Sequence, residues 1–177
     1  MANADSNTQA RPEITPQDPA FAGNIATLLE KPQGAAMDLF QVLDICEQYA
    51  GGLIENENHT ESMALCGRLL AGLEVLKSVL KAPMPGYLIE KLTIKESKTG
   101  SYGNPIATDS ETLCEYCAAL TIVLLNHQES PEQKEQMTGL LYELLVVLVE
   151  DLKAPRFVRT PEGELKMIEG GALNLVH

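Results

Sequence analysis

The chain has no tryptophan, three phenylalanines and three histidines among its 177 residues. So few imidazoles leave little room for a nucleophile, a general base and an orienting group to be assembled. It also lacks a Gly-rich phosphate loop, a GxSxG nucleophile elbow and an HExxH zinc helix. No cofactor and no catalytic set are therefore expected. Basic side chains are scarce too: 13 Lys and Arg stand against 25 Asp and Glu, a formal net charge of −12. Such a surface repels phosphate backbones, so direct nucleic-acid binding is not expected, whereas basic partners are favoured. No apolar window approaches the ~20 residues that span a bilayer, so no membrane association is expected either. Met1–Ala20 shows neither a basic region nor an apolar run of the signal-peptide kind. The four cysteines, Cys46, Cys66, Cys114 and Cys117, all fall within helical patterns. Reduced, buried thiols in a cytoplasmic protein follow as the default. Polar leaders like this one also occur on type III secretion substrates, which makes export the alternative.

What is present is apolar periodicity. Hydrophobic residues make up 45% of the chain, enough for one domain with a sizeable core. The strongest stretch is Pro131–Pro155. From Leu140 to Val149 every residue except Glu143 is apolar or Tyr. Ser130 is placed to cap this helix, with Pro131 at its first position and Glu132 and Glu135 near the positive end of the dipole. Lys153 sits in the last turn and Pro155 stops it. A helix apolar on nearly all sides is expected in the middle of a core.

The stretch has an echo 72 residues earlier. Gly67/Gly139, Leu69/Leu141, Leu73/Leu145, Leu76/Leu148 and the Lys-Ala-Pro endings at Lys81 and Lys153 coincide. Upstream the offset becomes 68, matching Cys46/Cys114, Ala50/Ala118 and an NHxES motif at Asn58–Ser62 and Asn126–Ser130. The change of offset amounts to about one helical turn. A duplicated helix–turn–helix unit is expected, with repeat one near 35–95 and repeat two near 110–168.

In chain order, 1–17 is a polar, disordered leader, and 18–170 is a single helical domain. A short helix opening at Asp18-Pro19 carries Phe21, Ile25, Leu28 and Leu29. Helices follow near Ala35–Glu55 and Glu61–Ala82. In the second, Ala64, Gly67, Ala71 and Gly72 are small enough for a close helix contact. Tyr87–Lys95 reads as a strand with Leu88, Leu92 and Ile94 on one face. Glu96–Asp109 is a long loop. Ser110 is the expected cap of a helix over Glu111–Asn126. In Arg156–Ile168, the Thr160-Pro161-Glu162-Gly163 turn predicts a β-hairpin, joined to the earlier strand in a small antiparallel element. Residues 171–177 read as a loose tail.

Two constellations carry candidate chemistry. Cys114 and Cys117 form a CxxC, but a redox pair needs a thiol lowered at a helix N-terminus, and these lie inside a helix. Two core cysteines are expected instead. In the NHxES turns, His59, Glu61, His127 and Glu129 could converge on a divalent metal if both turns lie at one end of a bundle. The simpler assignment is a capping turn, with Asn58 as cap and Glu61 reaching back. The cysteines and histidines are too far apart along a helix to share zinc.

The expected architecture is mainly α: duplicated helical hairpins forming a four-helix core, a short N-terminal helix and a small antiparallel β element. The expected role is a non-enzymatic, acidic protein-binding domain such as a bacterial regulator, chaperone, adaptor or immunity-type inhibitor. Its expected partner is a protein, for which a basic surface is favoured, or a second copy in a homodimer. The alternatives are a metal-dependent helical-bundle enzyme using His59, Glu61, His127 and Glu129, and an acidic mimic of nucleic acid.

Overall fold

The structure is a computed structural model that describes residues 25–34, 36–54, 56–95, 109–126, 130–169 and 172–175. The leader 1–17, the Asp18-Pro19 start, residues 96–108 of the long loop, and Gly170-Gly171 lie outside the described residues. The described chain is mainly helical with a small mixed sheet. Its elements are α1 (25–29), α2 (Leu39–Ile54), α3 (His59–Lys81), α4 (Gly86–Lys91), β1 (Thr93–Lys95), α5 (Ser110–Asn126), α6 (Pro131–Lys153), β2 (Phe157–Arg159), β3 (Leu165–Glu169) and β4 (Ala172–Leu175).

The long helices follow the three- and four-residue apolar steps. α2 buries Val42, Leu43, Cys46, Tyr49, Ala50 and Leu53, and α3 buries Leu65, Leu69, Leu73 and Leu76. α6 buries Leu141, Leu145, Leu148 and Leu152. Each of these helices, and α5, packs chiefly on two of the others: α2 and α5 both touch α3 and α6. Hence none is surrounded. The expectation that α6 runs through the middle of the core is corrected. One side is buried, while Leu140 on the other is 51% exposed.

Capping follows local chemistry. Ser130 Oγ accepts from the Gln133 N–H at 3.2 Å, and Gln133 Oε1 accepts from the Ser130 N–H at 2.9 Å, with Pro131 in the first turn. At α5 the cap is Asp109, one residue before the expected Ser110: its carboxylate accepts from the Thr112 N–H at 2.8 Å. That hydrogen bond holds the Asp109 carboxyl below its usual range. Ser110 donates its hydroxyl to Asp151 instead, at 2.5 Å.

The strand expected over Tyr87–Lys95 is mostly helix. Leu88 and Leu92 are four apart, which fits a helical face as well as an alternating strand. α4 takes Gly86–Lys91 and leaves three residues for β1. The expected hairpin is present: β2 pairs antiparallel with β3, and Gly163 turns at φ 90°. β1, however, pairs parallel with β2, Thr93 opposite Phe157, so the sheet is mixed and not antiparallel. The N–H groups of Arg156 and Phe157 both donate to Leu92 O, at 2.9 and 3.1 Å, and start this pairing. The tail expected to be loose contributes β4, paired antiparallel with β3.

Residues 25–34 lie against α2 and α3. Ile25 and Leu28 are buried. Arg68 Nη2 donates to Leu29 O at 2.8 Å and also to Lys31 O, so a cation closes the carbonyl end of α1. Tyr49 donates its hydroxyl to Leu28 O at 3.4 Å, and Gln33 Nε2 donates to Arg68 O at 3.1 Å. Of the four small residues on α3, only Gly72 has crowded surroundings. An added Cβ would lie 2.7 Å from Cys46 Sγ, whereas at Gly67 it would meet nothing within 4 Å. Ala64 and Ala71 are exposed.

Candidate functional site

The NHxES motifs occupy different places on their helices. In the first, Asn58 caps α3, accepting from the N–H groups of Thr60 at 3.0 Å and Glu61 at 3.3 Å. His59 is the first residue of α3 and is exposed. Glu61 does not reach back to Asn58: its Oε2 accepts from Asn56 Nδ2 at 3.0 Å. In the second motif, Asn126 is the last residue of α5 and Ser130 caps α6. His127 and Glu129 lie outside the described residues. The cap positions therefore correspond at the offset of 72, Asn58 with Ser130, and the extra turn belongs to the end of α5. Near the start of α3, Lys134 Nζ donates to Ser62 Oγ at 3.3 Å beside a cavity of about 10 Å³. That volume holds about one water. Among the described residues no group of three His, Cys, Asp or Glu could hold a metal ion.

The cysteines are core residues. Cys46, Cys66, Cys114 and Cys117 are buried, and none of them forms a disulfide. Loss of hydration pushes the thiols of Cys46 and Cys117 up to about 12 and that of Cys114 up to about 11. Cys46 is raised further by its neighbours Cys114 and Cys117. A thiol shifted upward is a poor nucleophile, the reverse of what a redox CxxC needs.

Two surfaces remain. One is a cleft of about 570 Å³ between the end of α3 and the start of α5, with Leu80 and Met84 on one side and Asp109, Glu111 and Glu115 on the other. It adjoins an apolar groove of about 210 Å³ that ends at Tyr87. The other surface is the outside of α5 and α6. Tyr116 and Val123 on α5 and Leu140 on α6 are 50%, 45% and 51% exposed. Leu120, Met137, Leu144 and Val147 are partly buried and pack against the core. Tyr116, Leu120 and Val123 fall at three- and four-residue steps, as do Met137, Leu140, Leu144 and Val147, so each set forms one helical stripe. Sequence periodicity shows that these residues are apolar, but a stripe wider than the core contact has to be seen in the packing. Exposed carboxylates of α6 lie beside it at helical spacing, Glu132, Glu143 and Glu150, whereas Glu111 and Glu115 line the cleft towards α3. Among the described residues none of these three α6 glutamates forms an ion pair. α5 carries no Lys or Arg, and Lys153 of α6 is drawn away to Asp44 at 2.6 Å.

Among the described residues no helix is long and apolar enough to cross a membrane. No family model, curated protein or solved structure matches the chain.

Proposed function

We propose that this chain is a non-enzymatic, acidic protein-binding domain, built from two duplicated helical hairpins that enclose a four-helix core. The observation that carries the binding assignment is the stripe of Tyr116, Val123 and Leu140 left in water beside the exposed carboxylates of α6. Contiguous exposed apolar surface rimmed by polar groups is the mark of an interaction site. The duplication is supported by the shared positions of Asn58 and Ser130 as helix caps and by the common Ala-Pro stops at Ala82 and Ala154. A regulator, adaptor, chaperone or immunity-type inhibitor has this character. The mixture of apolar and acidic groups favours a protein partner over mimicry of nucleic acid, which needs carboxylates without leucines between them.

The test is capture from the native cell with the tagged full chain, identification of what co-purifies, and reconstitution of the complex from purified components. A complex that re-forms at defined stoichiometry supports the assignment. The metalloenzyme alternative gives a different result: about one equivalent of zinc, iron or manganese per chain, lost in His59→Ala/His127→Ala. Tightly held metal of that kind, with no reconstituted partner, would overturn the binding assignment.

A further inference from the structure

The two hairpins treat their outer faces differently. On α2 and α3 the face is covered by residues 25–34, and four positions seat that segment. Gln48 accepts from Lys31. At Gly52 an added Cβ would lie 3.6 Å from Leu28. Arg68 donates to the carbonyls of Leu29 and Lys31. At Gly72 an added Cβ would lie 3.0 Å from Gln33 Nε2. The corresponding residues on the second hairpin, at the offsets of 68 and 72, are Tyr116, Leu120, Leu140 and Leu144. A hydrogen-bonding and close-fitting seat has been replaced by apolar groups. Among the described residues nothing covers Tyr116 or Leu140, each about half exposed.

We propose that the outer face of the α5–α6 hairpin is the docking site for a basic amphipathic helix of a partner protein, seated as residues 25–34 seat on α2 and α3. The inference rests on the protein-binding assignment and on the duplication, and adds the place and the chemistry of the partner. Charge selects the occupant. Three exposed glutamates of α6, Glu132, Glu143 and Glu150, lie beside the stripe, and α5 carries no cation to offset them. A second copy of this chain, with a net charge of −12, would bring like charge to like. A helix with Leu on one face and Lys on the other meets both the stripe and its rim.

The probe is a fluorescein-labelled Leu/Lys peptide of about 18 residues, five helical turns, with Leu at i, i+3, i+4 and i+7. Two controls accompany it: a Leu/Lys peptide of the same composition with its Leu positions scrambled, and a Leu/Glu peptide with the original Leu positions. The proteins are the full chain, Val123→Gln/Leu140→Gln, and Ile54→Gln, which alters an exposed residue at the end of α2. Circular dichroism establishes that both variants fold. Anisotropy titration should show the patterned Leu/Lys peptide binding the full chain and Ile54→Gln alike, and Val123→Gln/Leu140→Gln about tenfold or more weakly. The scrambled and Leu/Glu peptides should bind at least about tenfold more weakly than the patterned one. Equal binding of the scrambled peptide, or of all three proteins, would reduce the effect to bulk charge and overturn the proposal. Sedimentation of a dimer that dissociates in Val123→Gln/Leu140→Gln would assign the face to a second copy and overturn it as well. A native partner that still binds the double variant would overturn this site while leaving the protein-binding assignment standing.

Discussion

Gly72→Ala and Gly67→Ala make the same chemical change on one helix and should have opposite effects on stability. In an open helix interior, Ala is favoured over Gly by about 1 kcal/mol, because Gly loses more backbone freedom on folding. At Gly67 an added Cβ meets nothing within 4 Å, so that gain should be realised. At Gly72 it would lie 2.7 Å from Cys46 Sγ and 3.0 Å from Gln33 Nε2. Cys46 is fully buried and cannot withdraw without displacing its own neighbours. Overpacking of that kind costs about 1–3 kcal/mol. The two variants should therefore differ by roughly 1–3 kcal/mol, Gly67→Ala above the parent and Gly72→Ala at or below it. Urea denaturation followed by far-ultraviolet circular dichroism measures the difference. In a Cys46→Ala background the sulfur is gone, and most of the cost of Gly72→Ala should disappear with it. If Gly72→Ala stabilised the chain as much as Gly67→Ala, the close approach of α3 to α2 at this point would be refuted.

The remaining predictions concern the core. Leu145 has no exposed surface, so Leu145→Ala should cost about 2–5 kcal/mol in urea denaturation; a change below roughly half a kcal/mol would place α6 wrongly. The three raised thiols make stability sensitive to alkali. A group whose pKa is raised by folding contributes fully below its unfolded value and loses that contribution as pH rises towards its folded one. The window therefore opens at 9.0 and extends to about 11 for Cys114 and about 12 for Cys46 and Cys117. Within it each thiol should remove about 1.4 kcal/mol of stability per pH unit. Urea midpoints measured on either side of pH 9 should fall steeply, and less steeply in Cys114→Ala/Cys117→Ala; equal slopes would refute the burial argument.

The long helices were legible because a period near 3.6 survives over many residues, and caps such as Ser130 with Pro131 are local chemistry. The segment 86–95 was not legible. Leu88 and Leu92 satisfy both periods, and the choice was made by tertiary contact with Arg156 and Phe157. The parallel sense of β1 and β2 depends on where α4 delivers the chain, which no local pattern records. Ser110 and Asp109 are both good caps, and the competition was settled by Asp151, a distant residue that takes the Ser110 hydroxyl. The NHxES echo was a true likeness of letters at unlike positions on the helices: Ser62 is buried in the first turn of α3, whereas Ser130 is an exposed cap. The stripe on α5 and α6 was hidden for a different reason. Apolar periodicity was counted as core, and only packing shows that among the described residues no helix lies over Tyr116, Val123 and Leu140.

The pairing of β1 with β2 bears on the order in which the chain assembles. The contacts of α2 with α3 and of α5 with α6 join consecutive helices, so each hairpin can form from nearby sequence. Thr93 and Phe157 are separated by both α5 and α6, and no local event brings them together. Closing that strand pair carries the entropy of the largest loop in the sheet, which is recovered only after both hairpins are in place. The sheet is therefore a latch set last. Until it closes, a nascent chain that has completed α2 and α3 exposes a three-residue strand edge at 93–95 without its partner.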